Sequence, residues 1–178
     1  MILADTFGGA VDYGYSNLEI MHGWDALLLV AFYALQLYFD FSGYCDMALG
    51  VSRMFGIELP VNFNSPYQAG NIVEFWKRWH ITLNRFFTKY IYIPLGGNRK
   101  GRARMYGNLL IVFLVSGIWH GAGWNFILWG MLHGVLYVLT RMWMNRRGAF
   151  HGRKVPRVIS VPLTFCYTAF AWVYFRAE

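Results

Sequence analysis

Apolar residues run in long blocks along this chain, and the polar positions between them are grouped. Trp24 to Phe39 is a sixteen-residue apolar run interrupted only by Asp25 and Gln36. A more polar helical stretch follows from about Gly43 to Phe55 and carries Asp46. The pattern predicts a membrane helix that continues into, or turns back as, a partly buried one. Gly56 to Asn71 holds Pro60, Asn62, Asn64, Ser65, Pro66 and Gly70, the residue types of a loop. Ile72 to Tyr90 is predicted as one amphipathic helix. At the helical repeat of about 100° per residue, Trp76, Trp79, His80, Leu83, Phe86, Phe87 and Tyr90 share one side. Arg78, Arg85 and Lys89 cluster opposite, with Glu74 one turn before Arg78. A helix so divided suits the membrane interface.

Pro94 to Gly101 is a turn-rich loop leading to Arg102 and Arg104. Asn108 to Trp119 and Trp124 to Thr140 are apolar arms, broken by the segment Ser116 to Gly123. Arg141 to Arg157 reads as a basic loop, and Val158 to Phe175 is an eighteen-residue apolar run. The pattern predicts an all-α, polytopic membrane protein with four or five membrane segments and one interfacial amphipathic helix. No internal repeat stands out.

Composition supports the bilayer as solvent. Hydrophobic residues make up 57% of the 178 and charged residues 14%, against roughly a quarter charged in soluble proteins. One core of this size could not hide so much apolar surface. Residues 1–74 hold eight of the nine acids and one base, Arg53, whereas residues 75–177 hold fifteen bases and no acid. Those bases alternate with apolar segments, so they are expected to face lipid headgroups and fix topology rather than bind nucleic acid. By the same rule, the basic segments near 99–104 and 141–157 are both cytoplasmic, and the hairpin between them enters and returns. Its first arm, twelve residues or about 18 Å, is shorter than the ~30 Å hydrocarbon core. The turn at His120 is therefore expected within the membrane's thickness. Cys45 and Cys166 lie in apolar segments without metal-type spacing, and the first residues do not form a signal peptide.

Five histidines carry most of the candidate chemistry. His120, in Trp-His-Gly-Ala-Gly between two apolar arms, is the leading functional residue, because an intramembrane imidazole needs a partner or a wet cavity. His80 falls on the apolar face of the amphipathic helix, where packing and function are equally open. His133 is expected to be structural or to line a channel, with a bond across helices open to it, and His22 and His151 are expected to be solvated. The spacings among them give no metal signature. Asp40 and Asp46, six residues apart, lie on different helical faces and form no carboxylate pair. No nucleophile elbow or phosphate-cradling glycine loop occurs.

Several ordered motifs carry a resemblance. Tyr38-Phe39-Asp40-Phe41-Ser42-Gly43-Tyr44, Pro60-Val61-Asn62-Phe63 and Phe75-Trp76-Lys77-Arg78-Trp79-His80-Ile81-Thr82-Leu83 come first. Tyr92-Ile93-Pro94-Leu95-Gly96-Gly97, then Trp119-His120-Gly121 through Trp129-Gly130 and His133-Gly134, complete the set. Together they resemble the membrane-bound O-acyltransferase family, in the family's order, over residues 35 to 134. The Ile-Pro-Leu-Gly-Gly-Asn-Arg and Trp-His-Ile-Thr-Leu elements resemble the bacterial branch that acetylates exported polysaccharides such as alginate. Relatives that handle D-alanine for teichoic acids share much of this pattern. The lipid and protein acyltransferases of animals are more distant and generally carry Asn where His80 stands.

The resemblance implies that His120 and His80 are catalytic, His120 as general base on the accepting hydroxyl and His80 polarising or positioning the donor carbonyl. Trp76, Trp79, Asn84, Trp119, Asn125, His133 and Asp40 become candidates to line the substrate channel. It implies no bound cofactor or metal, and acetyl-CoA or another acyl thioester as cytoplasmic donor. The acceptor would be a hydroxyl on an exported polysaccharide, or a partner protein that carries the acetyl onward, at the bacterial plasma membrane. Family proteins are much longer, with around ten membrane helices. The 178 residues are thus expected to be one partial domain, with Met1 internal to the natural protein and the piece alone inactive. A transport component or a non-catalytic assembly subunit remains the alternative.

Overall fold

The apolar blocks fold as helices, and the described residues of the computed structural model, 2–147 and 155–176, contain no strand. Helix α1 (Ile2–Ser16) packs against α2 (Gly23–Met54). The two segments expected over 24–39 and 43–55 are one continuous 32-residue helix. No proline interrupts them, and the isolated Gly43 and Gly50 do not suffice to break a helix. Its first turn is closed by Asp25, whose Oδ2 accepts the backbone N–H of exposed His22 at 3.0 Å. The loop 56–71 contains only a short turn of 3₁₀-helix, Pro66–Gln68.

The helix expected over 72–90 is three pieces: α3 (Ile72–Arg78), α4 (Ile81–Phe87) and a widened π turn, Thr88–Tyr92. The break at Trp79–His80 has an identifiable cause. In an unbroken helix, the Ile81 and Thr82 N–H groups would donate to the Lys77 and Arg78 carbonyls. Here the loop takes these bonds. Ile81 N–H donates to the Asn62 backbone carbonyl (2.9 Å) and Thr82 N–H to Asn62 Oδ1 (3.2 Å). The Arg78 carbonyl accepts instead from Asn64 N–H at 2.9 Å. The interfacial helix is corrected accordingly. Ile72, Val73, Phe75 and Trp76 of α3 are buried in the protein, so α3 is a core element.

Asn71 caps α3 by accepting the Glu74 N–H at 2.9 Å. The expected Glu74–Arg78 pair forms at 2.8 Å, and Glu74 also accepts Gly70 N–H and approaches Arg157 at 3.6 Å. One carboxylate thus joins α3 to the start of α7 (Arg157–Arg176).

The remaining hairpin is α5 (Arg102–His120) and α6 (Trp124–Arg147). The first arm is 19 residues rather than twelve, because residues 102–107 and His120 join the helix. From Arg104 to His120 it spans about 24 Å, still short of the ~30 Å core. The basic segment expected over 141–157 is described only at its ends; residues 148–154, His151 among them, lie outside the described residues. Three of the described helices, α2, α6 and α7, are long and apolar enough to cross a membrane, where four or five were expected. α5 has the length, but Arg102, Arg104 and Asn108 dilute its apolar character. No more than 28% of any of the three spans is buried within the protein, so most of their apolar surface faces outward. That is the inverse of a soluble core and suits lipid or further membrane helices.

Glycines set how closely α5 approaches α6. A Cβ on Gly117 would stand 2.5 Å from the Phe126 carbonyl oxygen, and one on Gly130 2.5 Å from that of Phe113. Small residues permit such backbone contact between membrane helices. Gly107, on the same helix, has nothing within 4 Å of its would-be Cβ. Gly130→Ala in the full-length protein should therefore cost about 1–3 kcal/mol by overpacking. Gly107→Ala should be neutral or slightly stabilising. Thermal unfolding in detergent checks the pair, and equal midpoints for the two variants would contradict the close approach.

Candidate active site

His120 is the last residue of α5, placed where Gly121 to Gly123 break the helix before α6. Its ring is half-buried among aromatic neighbours: Trp119 at 4.8 Å between centroids, Phe175 at 5.0 Å and Trp129 at 5.1 Å, all edge-on. The ring therefore turns into the protein, between α5, α6 and α7. Trp119 itself is 57% exposed and meets Phe87 of α4 at 6.3 Å.

His80 occupies the break between α3 and α4 with φ 46° and ψ 54°, the left-handed region. For an L residue this costs about 1–2 kcal/mol. The side-chain bonds that Asn62 Oδ1 makes with Thr82 Oγ1–H and the His80 ring, about 1 kcal/mol each, offset it. Asn84 closes the other side, its Nδ2 donating to the carbonyls of Trp76 (2.6 Å) and Trp79 (2.7 Å) at the end of α3. The His80 ring lies edge-on to Phe41 of α2 at 4.8 Å, with Nδ1 3.1 Å from Asn62 Oδ1. Burial pushes its pKa down to about 4.

Between them stands a wall of rings. Trp129, fully buried, touches His120, Trp76 (5.8 Å) and Trp172 (5.5 Å), and Trp172 touches Trp79 at 5.0 Å. His133 is also fully buried, 5.0 Å from Trp129 and 5.1 Å from Trp76. Among the described residues neither of its ring nitrogens has a hydrogen-bond partner, so no cross-helix bond is made. Ring-edge contacts take its place. Trp76 and Asn84 border a cavity of about 490 Å³ that Lys77, Arg85 and Lys89 also line. Asn125 donates to the Tyr174 carbonyl at 3.2 Å, joining α6 to α7 beside the His120 turn. Asp40 is exposed on α2. Among the described residues, no group of three His, Cys, Asp or Glu side chains is gathered as for a metal ion.

The structure thus brings His120, His80, His133, Trp76 and Trp79 around one aromatic core, with Asn84 and Trp119 at its edge. Two participants escaped the sequence reading. Phe175 was only the end of an apolar run. Asn62 was part of a motif in a loop, and its link to the Trp-His segment eighteen residues on was not legible from spacing.

The family model for membrane-bound O-acyltransferases matches residues 18–177. The chain belongs to this family. Across all 178 residues it is 47% identical to the peptidoglycan O-acetyltransferase of Helicobacter pylori, covering 34% of that protein. It is 42% identical to the probable alginate O-acetylase AlgI of Pseudomonas aeruginosa, again over the whole chain and 33% of the relative. The teichoic acid D-alanyltransferase of Bacillus subtilis is 31% identical over 85% of the chain and 41% of its own length. The chain therefore spans about a third of the length of the acetyltransferases it matches. Family membership agrees with the apolar helices in making this a membrane protein.

Burial of His80 makes stability depend on pH. An unfolded histidine takes up its proton near 6.5 and this one near 4, so burial of His80 costs no stability above the first value. As pH falls from 6.5 towards 4, the unfolded chain is favoured and stability declines. Between those values the folded ring should stay neutral. Imidazole ¹⁵N spectra of the full-length protein, assigned with His80→Gln, check this; a charged His80 ring at pH 5.5 would contradict it.

Proposed function

We propose that the whole protein is a membrane O-acyltransferase of the bacterial plasma membrane, moving acetyl from a cytoplasmic thioester donor to hydroxyls of an exported cell-envelope polysaccharide. The observation that carries the reading is His120 at the α5–α6 break, its ring turned inward against Trp129 and Phe175. The names of the peptidoglycan and alginate relatives support acetyl as the group and a glycan as the acceptor.

His120 acts as general base. The acceptor oxygen attacks the thioester carbonyl carbon, its proton passes to an imidazole nitrogen, the new C–O bond forms and the C–S bond breaks. The proton then leaves with the thiolate sulfur. His80 positions the reactants from the opposite side of the aromatic wall. The indole and phenyl edges hold bulk water away from the thioester, which strengthens every charge interaction inside. Lys77, Arg85 and Lys89 around the neighbouring cavity suit the phosphates of an acyl thioester carrier arriving from the basic side. A separate exported partner that takes the acetyl onward fits the same scheme. D-alanyl transfer is the second reading, favoured by the 31% match over most of the chain.

His120→Ala in the full-length protein should lower acetyl transfer by about 10²–10⁴-fold at unchanged membrane abundance. Acetyl ester on the cell-surface polymer, measured against protein level, decides it; undiminished ester would dismiss the catalytic role. Lys77→Glu with Arg85→Glu should raise KM for the thioester several-fold and leave kcat nearly intact. An unchanged KM would remove these cations from donor binding.

A further inference from the structure

His80 is held by a contact whose polarity can be worked out. Its Nδ1 lies 3.1 Å from one side-chain atom of Asn62. The backbone N–H of Thr82 points at that same atom from 3.2 Å, and the Thr82 hydroxyl from 2.9 Å. A backbone N–H only donates, so the shared atom must be the amide oxygen. The other end of the amide agrees, with Nδ2 donating to Cys45 Sγ of α2 at 3.3 Å. Reversing the amide would set two donors against each other at Thr82 and lose the sulfur contact.

An amide oxygen has no proton to give. The imidazole must therefore supply one, and Nδ1 carries it. A neutral imidazole has a single N–H, so Nε2 is left with an open lone pair. Phe41 lies edge-on to the ring and Phe63 tilted against it, and neither side chain offers Nε2 a competing polar donor. Among the described residues Nε2 makes no hydrogen bond. Asn62 is itself buried, and its backbone carbonyl anchors Ile81 N–H, so the clasp is built on fixed main chain.

We propose that Asn62 is a positioning residue for acyl transfer. It locks His80 in the Nδ1–H tautomer, so that Nε2 accepts a hydrogen bond from a hydroxyl or amide N–H of a bound reactant. This rests on the acyl-transfer reading above and refines it. A ring with its only proton committed to Asn62 cannot donate to the donor carbonyl, so His80 orients a reactant instead of polarising the thioester. Burial keeps the ring neutral and the lone pair free.

The test uses the full-length protein with ¹⁵N-labelled histidine in lipid nanodiscs, the His80 signals assigned through His80→Gln. The wild type should show Nδ1 protonated and Nε2 unprotonated. Asn62→Asp, which keeps an acceptor at the same place, should preserve that tautomer and hold transfer within a few-fold of wild type. Asn62→Ala should release the ring to a mixture or to the Nε2–H form. It should also lower kcat about tenfold, the rate equivalent of one net hydrogen bond, with abundance unchanged. A wild-type ring protonated at Nε2 would overturn the proposal outright, and this spectrum decides even if Asn62→Ala does not fold. Full transfer by Asn62→Ala with a changed tautomer would overturn it as well. The spectra need no turnover, so they separate the two readings. Transfer indifferent to both His120→Ala and His80→Gln sinks the acyl-transfer reading and the positioning role, even with the expected tautomer in place.

Discussion

Everything at the candidate site depends on a competition for backbone hydrogen bonds between a helix and a loop. Residues 72 to 90 have the composition of one helix, yet the 62–64 loop captures the groups at 78, 81 and 82 that would have continued it. The loop replaces helix bonds at these groups, and side chains tip the balance. Asn62 Oδ1 adds bonds to Thr82 Oγ1 and His80, and Asn84 satisfies the orphaned carbonyls of α3. The result is a kink with an imidazole at its apex, facing the aromatic core instead of the interface.

A second constraint works on the other histidine. His120 is placed by the contact of bare backbones at Gly117 and Gly130, which brings the end of α5 over Trp129. One imidazole is thus located by polar bonds and the other by the absence of side chains. The tryptophans between them fix the separation. Trp129 and Trp172 pack face to face, Trp76 and Trp79 close the ends, and a wall of fused rings has few rotatable bonds through which to relax.

Much of this was legible in the sequence because long-period apolar patterning survives any tertiary context. The arms around His120, the α7 span, the loop at 56–71 and the Glu74–Arg78 pair all follow from composition and spacing. The errors have a common source. Over residues 24–55 the sequence left continuation and a turn back both open, and the structure takes continuation, since a 32-residue helix absorbs the cost of Gly43 and Asp46. The unbroken 72–90 helix ignored a bond partner far away in the chain. Periodicity reports what a segment prefers alone, and the kink exists only because Asn62 reaches it. For His133 a bond across helices was open, and the structure surrounds it instead with aromatic rings, Phe75 stacked and Trp76 and Trp129 edge-on.

The backbone at position 80 restricts which residues can stand there. With φ at 46°, a branched or bulky side chain would strain the chain, while glycine, asparagine, aspartate and histidine tolerate the conformation. Of these, only histidine and asparagine offer a neutral side chain that both gives and accepts hydrogen bonds. The choice of chemistry there is therefore drawn from a very short alphabet, set by the torsion of one residue before any substrate enters.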